Sequence, residues 1–119
     1  MSFKDNFYSW ANRNLSISNA HAYCFNLVES SGIYSIELIG TNSFDLQDED
    51  WACDECFEAK PRSIEIGRDF DSWQSCLRSM YDVLEEYLCS DEIGAKVLNN
   101  SKGIGVGFVD GNLEIFKKT

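Results

Sequence analysis

The hydrophobic pattern of the chain predicts a single α+β domain with a mostly antiparallel sheet. Three observations favour this class: a helical stripe at the N-terminus, pairs of short segments with alternating apolar residues, and one long amphipathic stretch between them. The order is helix, strands, helix, hairpin, and no linker divides the chain. We therefore expect residues 1–119 to form one domain, with the long helix packed across the sheet and a short N-terminal helix.

The first helix is predicted from about Ser2 to Asn12. Phe3, Phe7 and Trp10 are spaced by four and three residues, so they share one face of a helix. A polar connector at residues 14–19 follows. The apolar face is expected to pack on the domain core.

The clearest element is a long helix from about Ser72 to Cys89. Asp71 is placed to cap its N-terminus, and Gln74 to complete a capping box. Gly94 interrupts the pattern, and one more helical turn is expected after it. Apolar residues recur in the long helix every three or four positions, which is typical of an amphipathic helix: Trp73, Leu77, Met80, Leu84 and Leu88.

Alternating residues predict a first hairpin in the N-terminal half. Ala20 to Glu29 and Ile33 to Ile39 have the pattern of strands, joined by a turn at Ser30-Ser31-Gly32. Residues 51–59 are ambiguous, and a short strand is expected at 63–67. Pro61, which lies between them, lacks an N–H group and limits any strand there to an edge or an end.

The C-terminal segment predicts a second hairpin. Apolar residues alternate with glycines over residues 103–108, Asp110-Gly111 is a turn signal, and Leu113 to Phe116 returns. The sequence GIGVG lacks the spacing of a phosphate-binding loop, and a strand follows it instead of a helix. We interpret these glycines as a strand face that a helix or another backbone approaches closely.

The charge balance restricts the kind of partner. The chain has 20 acidic and 10 basic residues, for a net charge of −10. Phosphates would repel such a protein, so nucleic acid and an anionic membrane are disfavoured as partners and a basic protein is favoured. The alternative is that the acidity serves solubility alone. No apolar run has the length of a signal peptide or a membrane span.

Cysteine usage indicates a reducing compartment, the cytoplasm. The count of five is odd, which does not fit a disulfide framework. Cys53 and Cys56 form a CxxC pair with the spacing of two zinc ligands. Further ligands are scarce, since the one histidine is His21 and Cys76 and Cys89 are about 20 Å apart along one predicted helix.

The CxxC pair is also a poor redox motif. Its acidic neighbours should raise the thiol pKa, whereas reactive pairs need it lowered. We therefore expect both cysteines to pack rather than react, and Cys24, Cys76 and Cys89 to be buried as small apolar side chains. His21 is interpreted as a surface or strand residue. The carboxylates lack the spacing of a calcium loop. No metal, cofactor or catalytic residue is assigned.

The strongest functional signal is an acidic segment from Asp45 to Glu58. It contains seven acids and no base, with Trp51 and Phe57 among them. Charges that steer encounter, together with an aromatic anchor, suit the binding of a basic partner. The alternative is that Trp51 belongs to the core and the acids to a solvated loop. The predicted partner-binding residues are Asp45, Asp48, Glu49, Asp50, Trp51, Asp54, Glu55 and Glu58. A second acidic cluster is expected on the long helix: Asp82, Glu85, Glu86, Asp91 and Glu92.

Two segments resemble small acidic immunity proteins of bacteria. They are FDLQDEDWACDECF, from Phe44 to Phe57, and GIGVGFVDGNLEIF, from Gly103 to Phe116. Such proteins are encoded beside secreted toxins, including those of contact-dependent growth inhibition. The resemblance implies a cytoplasmic, non-catalytic protein that binds the cognate toxin domain, often a basic nuclease. Two other hypotheses remain open. One is a metal-binding or small-molecule enzyme that uses Cys53 and Cys56 or clustered carboxylates. The other is an accessory or assembly domain whose protein partner is not a toxin.

Overall fold

A computed structural model describes residues 2–68, 70–109, 111 and 113–118, and it confirms the single α+β domain. Over these ranges the chain forms three α-helices and a five-stranded sheet. The helices are α1 (Phe3–Leu15), α2 (Trp73–Leu88) and α3 (Ile93–Asn100), and a short 3-10 turn spans Glu49–Cys53. The strands are β1 (Ala22–Ser30), β2 (Ile33–Thr41), β3 (Glu55–Gly67), β4 (Gly103–Phe108) and β5 (Glu114–Lys118).

The sheet is mixed, with the strand order β3-β2-β1-β4-β5. Three of its neighbouring pairs are antiparallel, as expected. The fourth pair, β1 with β4, is parallel, and it aligns Ala22 with Gly103 and Leu27 with Phe108. A parallel neighbour requires a crossover, and here the connection from β1 to β4 contains β2, β3, α2 and α3. The last hairpin is therefore added beside β1 and not beside β3.

The three helices cover one face of the sheet, which we call the helix face. Every second residue of the central strands points into the core on this side, as the period of a strand requires. The core is rich in aromatic rings, and the ring of Phe7 lies 5.8 Å from that of Phe25 and 5.5 Å from that of Tyr87. The strand residues of this core are Tyr23, Phe25, Leu27, Ile36, Leu38, Ile104 and Val106.

The strands agree with the sequence pattern except at β3. The β1–β2 turn is confirmed, with Ser31 and Gly32 at φ values of 53° and 82°, as a two-residue hairpin turn of type I′ requires. In place of a short strand, β3 runs for 13 residues through Pro61. β3 is an edge strand, so the N–H groups on its outer side have no neighbouring strand to pair with. A proline, which lacks the N–H group, is therefore tolerated there.

Two details of α2 were predicted wrongly. Its N-cap is Ser72, whose Oγ accepts from the N–H of Ser75 at 3.3 Å, and not Asp71 with Gln74. Trp73 at the first helical position is 52% exposed. The rest of the stripe is confirmed, with Met80 and Leu84 buried and Leu77 and Leu88 half-buried against the core. Cys76 and Tyr87 are buried beside them. With 13, 16 and 8 residues, the described helices do not reach the length and apolarity that crossing a bilayer demands.

The C-terminal hairpin is confirmed, with β4 and β5 paired antiparallel. The returning strand starts at Glu114, one residue after Leu113. In the predicted turn, the N–H of Gly111 donates to the carbonyl of Phe108 at 2.9 Å. Asp110, the other residue of that turn signal, lies outside the described residues.

Asn12 joins the three helices. Its Oδ1 accepts from the hydroxyl of Tyr87 at 2.6 Å and from the N–H of Gly94 at 3.1 Å, while its Nδ2 donates to Glu92 at 3.2 Å. Burial raises the pKa of Tyr87, which keeps its hydroxyl protonated as the donor. The contact is so close that a Cβ added at Gly94 would lie 1.9 Å from the Tyr87 hydroxyl.

This junction can be tested with a double-mutant cycle. Tyr87→Phe should lower the free energy of unfolding by about 1 kcal/mol, because one hydrogen bond is lost. Gly94→Ala should lower it by roughly 1–3 kcal/mol through overpacking. In the Tyr87→Phe background the alanine should cost less, since the clashing oxygen is gone. Chemical denaturation of the four proteins measures this, and strictly additive effects would contradict the proposed contact.

Candidate functional site

The second face of the sheet, the back face, has small residues at its centre. Gly103 and Gly105 of β4 lie beside Ala22 and Cys24 of β1 in the parallel register. None of these residues has a large side chain, so the sheet forms a shallow trough here. Ile39 of β2 lies next to Cys24 and forms one wall of it.

Two aromatic residues fill this trough. The ring of Phe44 packs so tightly that a Cβ on Gly103 would lie 2.1 Å from it. The ring of Trp51 lies 4.8 Å from that of Phe44, and Trp51 is only 4% exposed. The glycine strand therefore admits side chains, namely Phe44 and, over Gly105, Leu113. At Gly103 and Gly105 the nearest atoms thus belong to these side chains and not to the helix or backbone that we expected.

Residues 42–54, which we call the strap, form a loop that is closed at its base. The N–H of Asn42 donates to the carbonyl of Asp54 at 3.1 Å, and Ser43 Oγ donates to the Asp54 carboxylate, also at 3.1 Å. Buried Thr41 donates its hydroxyl to the carbonyl of Ser43 at 2.9 Å. The Nε1 of Trp51 finds no partner among the described residues, so its anchoring is apolar.

The strap presents its aspartates to solvent. Asp45 and Asp48 accept from the backbone N–H groups of Gln47 and Asp50 at 2.9 and 3.0 Å, which fixes their orientation. Each carboxylate has a second oxygen and further acceptor capacity. The exposed strap aspartates are Asp45, Asp48, Asp50 and Asp54. The side chain of Glu49 lies outside the described part of the chain.

The aromatic residue of the strap that was predicted to contact a partner, Trp51, is buried, whereas the aliphatic Leu46 is exposed. Trp51, predicted as an aromatic contact for a partner, lies beneath the strap, and Phe57 packs beside Tyr23 on the helix face. Leu46 is 53% exposed among the aspartates. No periodic pattern in the sequence distinguishes Leu46 from Phe44, because residues 42–48 of the strap form no helix or strand that would fix which side each residue faces.

A compact ionic cluster lies at the end of the acidic segment on β3. Arg62 binds Glu55 through two hydrogen bonds of 2.9 and 3.1 Å and Glu58 through one of 2.6 Å, and it lies 3.6 Å from Glu37. These contacts raise the pKa of Arg62, and the hydrogen bonds to Glu55 contribute the most. Glu55 and Glu58 are therefore already paired, although three carboxylates against one guanidinium leave the cluster negative.

The two acidic clusters of the sequence do not meet. The strap crosses the back face, whereas α2 packs on the helix face. On the helices, Glu86 pairs with Lys4 and Glu92 accepts from Asn12. Asp82, Glu85 and Asp91 are exposed. Substitutions of the exposed acids of α2 can therefore serve as the control for substitutions in the strap, because they change similar charges far from it.

The cysteines fall into two classes. Cys24 and Cys76 are buried as expected, but Cys89 is exposed, because it caps the C-terminus of α2 and does not belong to its buried stripe. Cys53 and Cys56 are exposed as well, so the prediction that this pair packs was wrong. Across residues 2–68, 70–109, 111 and 113–118, no three His, Cys, Asp or Glu side chains are arranged to hold a metal ion. His21 is exposed, and its backbone bonds to Thr41 and Lys102.

The two classes should differ in thiol reactivity. Burial raises the pKa of the Cys24 thiol to about 12 and that of Cys76 to about 11, so both remain protonated at neutral pH. We expect iodoacetamide to alkylate Cys53, Cys56 and Cys89 in the folded protein, and the other two only after unfolding. Peptide mass spectrometry measures this, and early labelling of Cys24 would contradict the packed back face.

Comparisons of the chain with protein-family models, with curated proteins and with solved structures found no match. The resemblance of the two segments to immunity proteins therefore stays a prediction. What the chain does has to follow from its own residues.

Proposed function

We propose that the chain is a non-catalytic immunity protein of the bacterial cytoplasm, which binds and neutralises a basic toxin domain, such as a nuclease, through the strap. The observation that supports this is the arrangement of the strap on the back face. Four exposed aspartates and the exposed Leu46 occupy a loop whose own aromatic residues, one buried and one half-buried, pack beneath it. A loop that served solubility alone would need no such anchor.

The proposed mechanism is occlusion by charge mimicry. The carboxylates of the strap take the places where phosphates of a nucleic acid substrate would bind, and they meet the lysines and arginines of the toxin. The net charge of −10 speeds the encounter. Leu46 supplies an apolar contact at the centre, where a small number of buried residues contributes most of the binding energy.

The anchoring of the strap favours tight binding. A loop that is already ordered loses less conformational entropy when its partner docks. Phe44 and Trp51 hold its middle, and the Asn42–Asp54 hydrogen bond closes its base. Arg62 orients Glu55 and Glu58 at the adjacent edge strand, which extends the negative surface beyond the strap.

The toxin partner can be identified from the neighbouring genes. Each is expressed alone and together with the chain, and growth is recorded. We expect one of the encoded proteins to be basic, toxic alone, harmless in coexpression, and recovered as an equimolar complex. If every toxic neighbour stays toxic in coexpression and forms no complex, the immunity proposal is wrong.

The strap is tested by reversing two of its charges. Glu49→Lys with Asp50→Lys spares Asp48, whose carboxylate caps the 3-10 turn. The matched control, Asp82→Lys with Glu85→Lys on α2, changes the net charge equally, from −10 to −6, since each exchange adds two. We expect the strap variant to associate at least about tenfold more slowly, and with a weaker salt dependence, than the control.

Surface plasmon resonance over a range of salt concentrations measures both variants. Equal association rates for the two variants would show that association depends only on the overall charge. The strap would then not contact the partner. Thermal unfolding is recorded for each variant, so that a loss of fold is not mistaken for a loss of contact.

A further inference from the structure

A groove on the helix face is not used by the proposed function. It lies between the first turns of α2 and the ends of β1, β4 and β5, and its volume is about 830 Å³. Sites for small molecules and peptide segments are commonly of this size. Leu27 and Leu77 line it with apolar surface. The strap lies at the other end of β1, near Ala22, on the opposite face.

Aromatic rings form a corner in this groove. Phe108 is flanked by Trp73 at 5.9 Å and by Tyr34 at 6.0 Å, with interplanar angles of 81° and 77°. All three residues line the groove, and Trp73 is 52% exposed although it is a large apolar residue. The exposed part of the Trp73 ring is surface on which a cation can stack.

Among the described residues, the charged groups that line the groove are two glutamates and one arginine. Glu29 accepts from the N–H of Gly32 at 2.6 Å, and Glu114 accepts from the hydroxyl of Tyr81. These bonds hold the carboxylates in place and leave acceptor capacity on each. Arg78 offsets one of the two charges, so these described groups together have a net charge of −1. One added cation would neutralise it, and an acidic ligand would be repelled.

We propose that this groove binds a short segment of a protein partner that presents one arginine or lysine side chain. The cation lies in the corner of Trp73, Phe108 and Tyr34, beside the glutamates, and apolar neighbours of the segment cover Leu27 and Leu77. Because the strap lies at the other end of the sheet, this binding does not depend on the immunity proposal, and either can fail alone.

The test uses the full chain and a defined probe, the peptide N-acetyl-Leu-Arg-Leu-amide. Its control carries citrulline in place of arginine, with the same shape and no charge. In a two-dimensional NMR titration we expect saturable shifts of the Trp73 indole and of Leu77 and Phe108, with the signals of Trp51 unmoved. The citrulline peptide should bind at least about fivefold more weakly.

Two variants locate the contact. Trp73→Ala should weaken binding of the arginine peptide by about fivefold or more, and Glu29→Gln with Glu114→Gln should remove its preference over citrulline. Ile93→Ala, at an equally exposed apolar residue on α3, is the matched control and should bind as the parent does. Absence of saturable shifts, equal binding of the two peptides, or shifts confined to the strap would each overturn the proposal.

Discussion

The packing of one aromatic ring against a glycine of β4, and of a second ring against the first, determines how the proposed binding surface is built. Gly103 leaves the space that the ring of Phe44 occupies, and Trp51 lies against that ring. Replacement of a buried Trp or Phe by alanine lowers the free energy of unfolding by about 3–5 kcal/mol. This contact can therefore hold a loop that has little regular structure. Without it, four aspartates close in sequence would repel one another on a free loop. Gly103 of β4 thus provides the space for the ring that holds the acidic strap in position.

The sheet separates the main core from the proposed binding surface. The helix face buries the main core, and the junction at Asn12 keeps the helices together there. The back face has a smaller cluster beneath the strap and the ionic cluster of Arg62 beside it. Stability therefore depends mainly on one side of the sheet and the proposed recognition of the toxin on the other. Charges can change on the strap without disturbing the main core.

Periodicity predicted the fold well and the site only in part. The stripe of Phe3, Phe7 and Trp10 and the alternation in the strands fixed the elements, because helices and strands repeat their burial at fixed intervals. The parallel pairing of β1 with β4 is a long-range contact that no local pattern encodes. The strap has no period, so the burial of Trp51 and the exposure of Leu46 depend on tertiary packing alone. Likewise, the pairing of Glu55 with Arg62 follows from their positions on one edge strand and not from the charge run.

Hydrogen exchange of the strap amides tests the anchoring most directly. The N–H of Asn42 donates to Asp54, and the N–H of Asp54 donates to Trp51, so both should exchange far more slowly than in an unfolded peptide. Gly103→Ala would place a methyl group against the ring of Phe44 and should release both amides, while Gly111→Ala, where the nearest atoms lie at 3.8 Å, should not. Protection in the parent and its loss only in Gly103→Ala is the predicted result. Fast exchange of both amides in the parent protein would contradict an anchored strap.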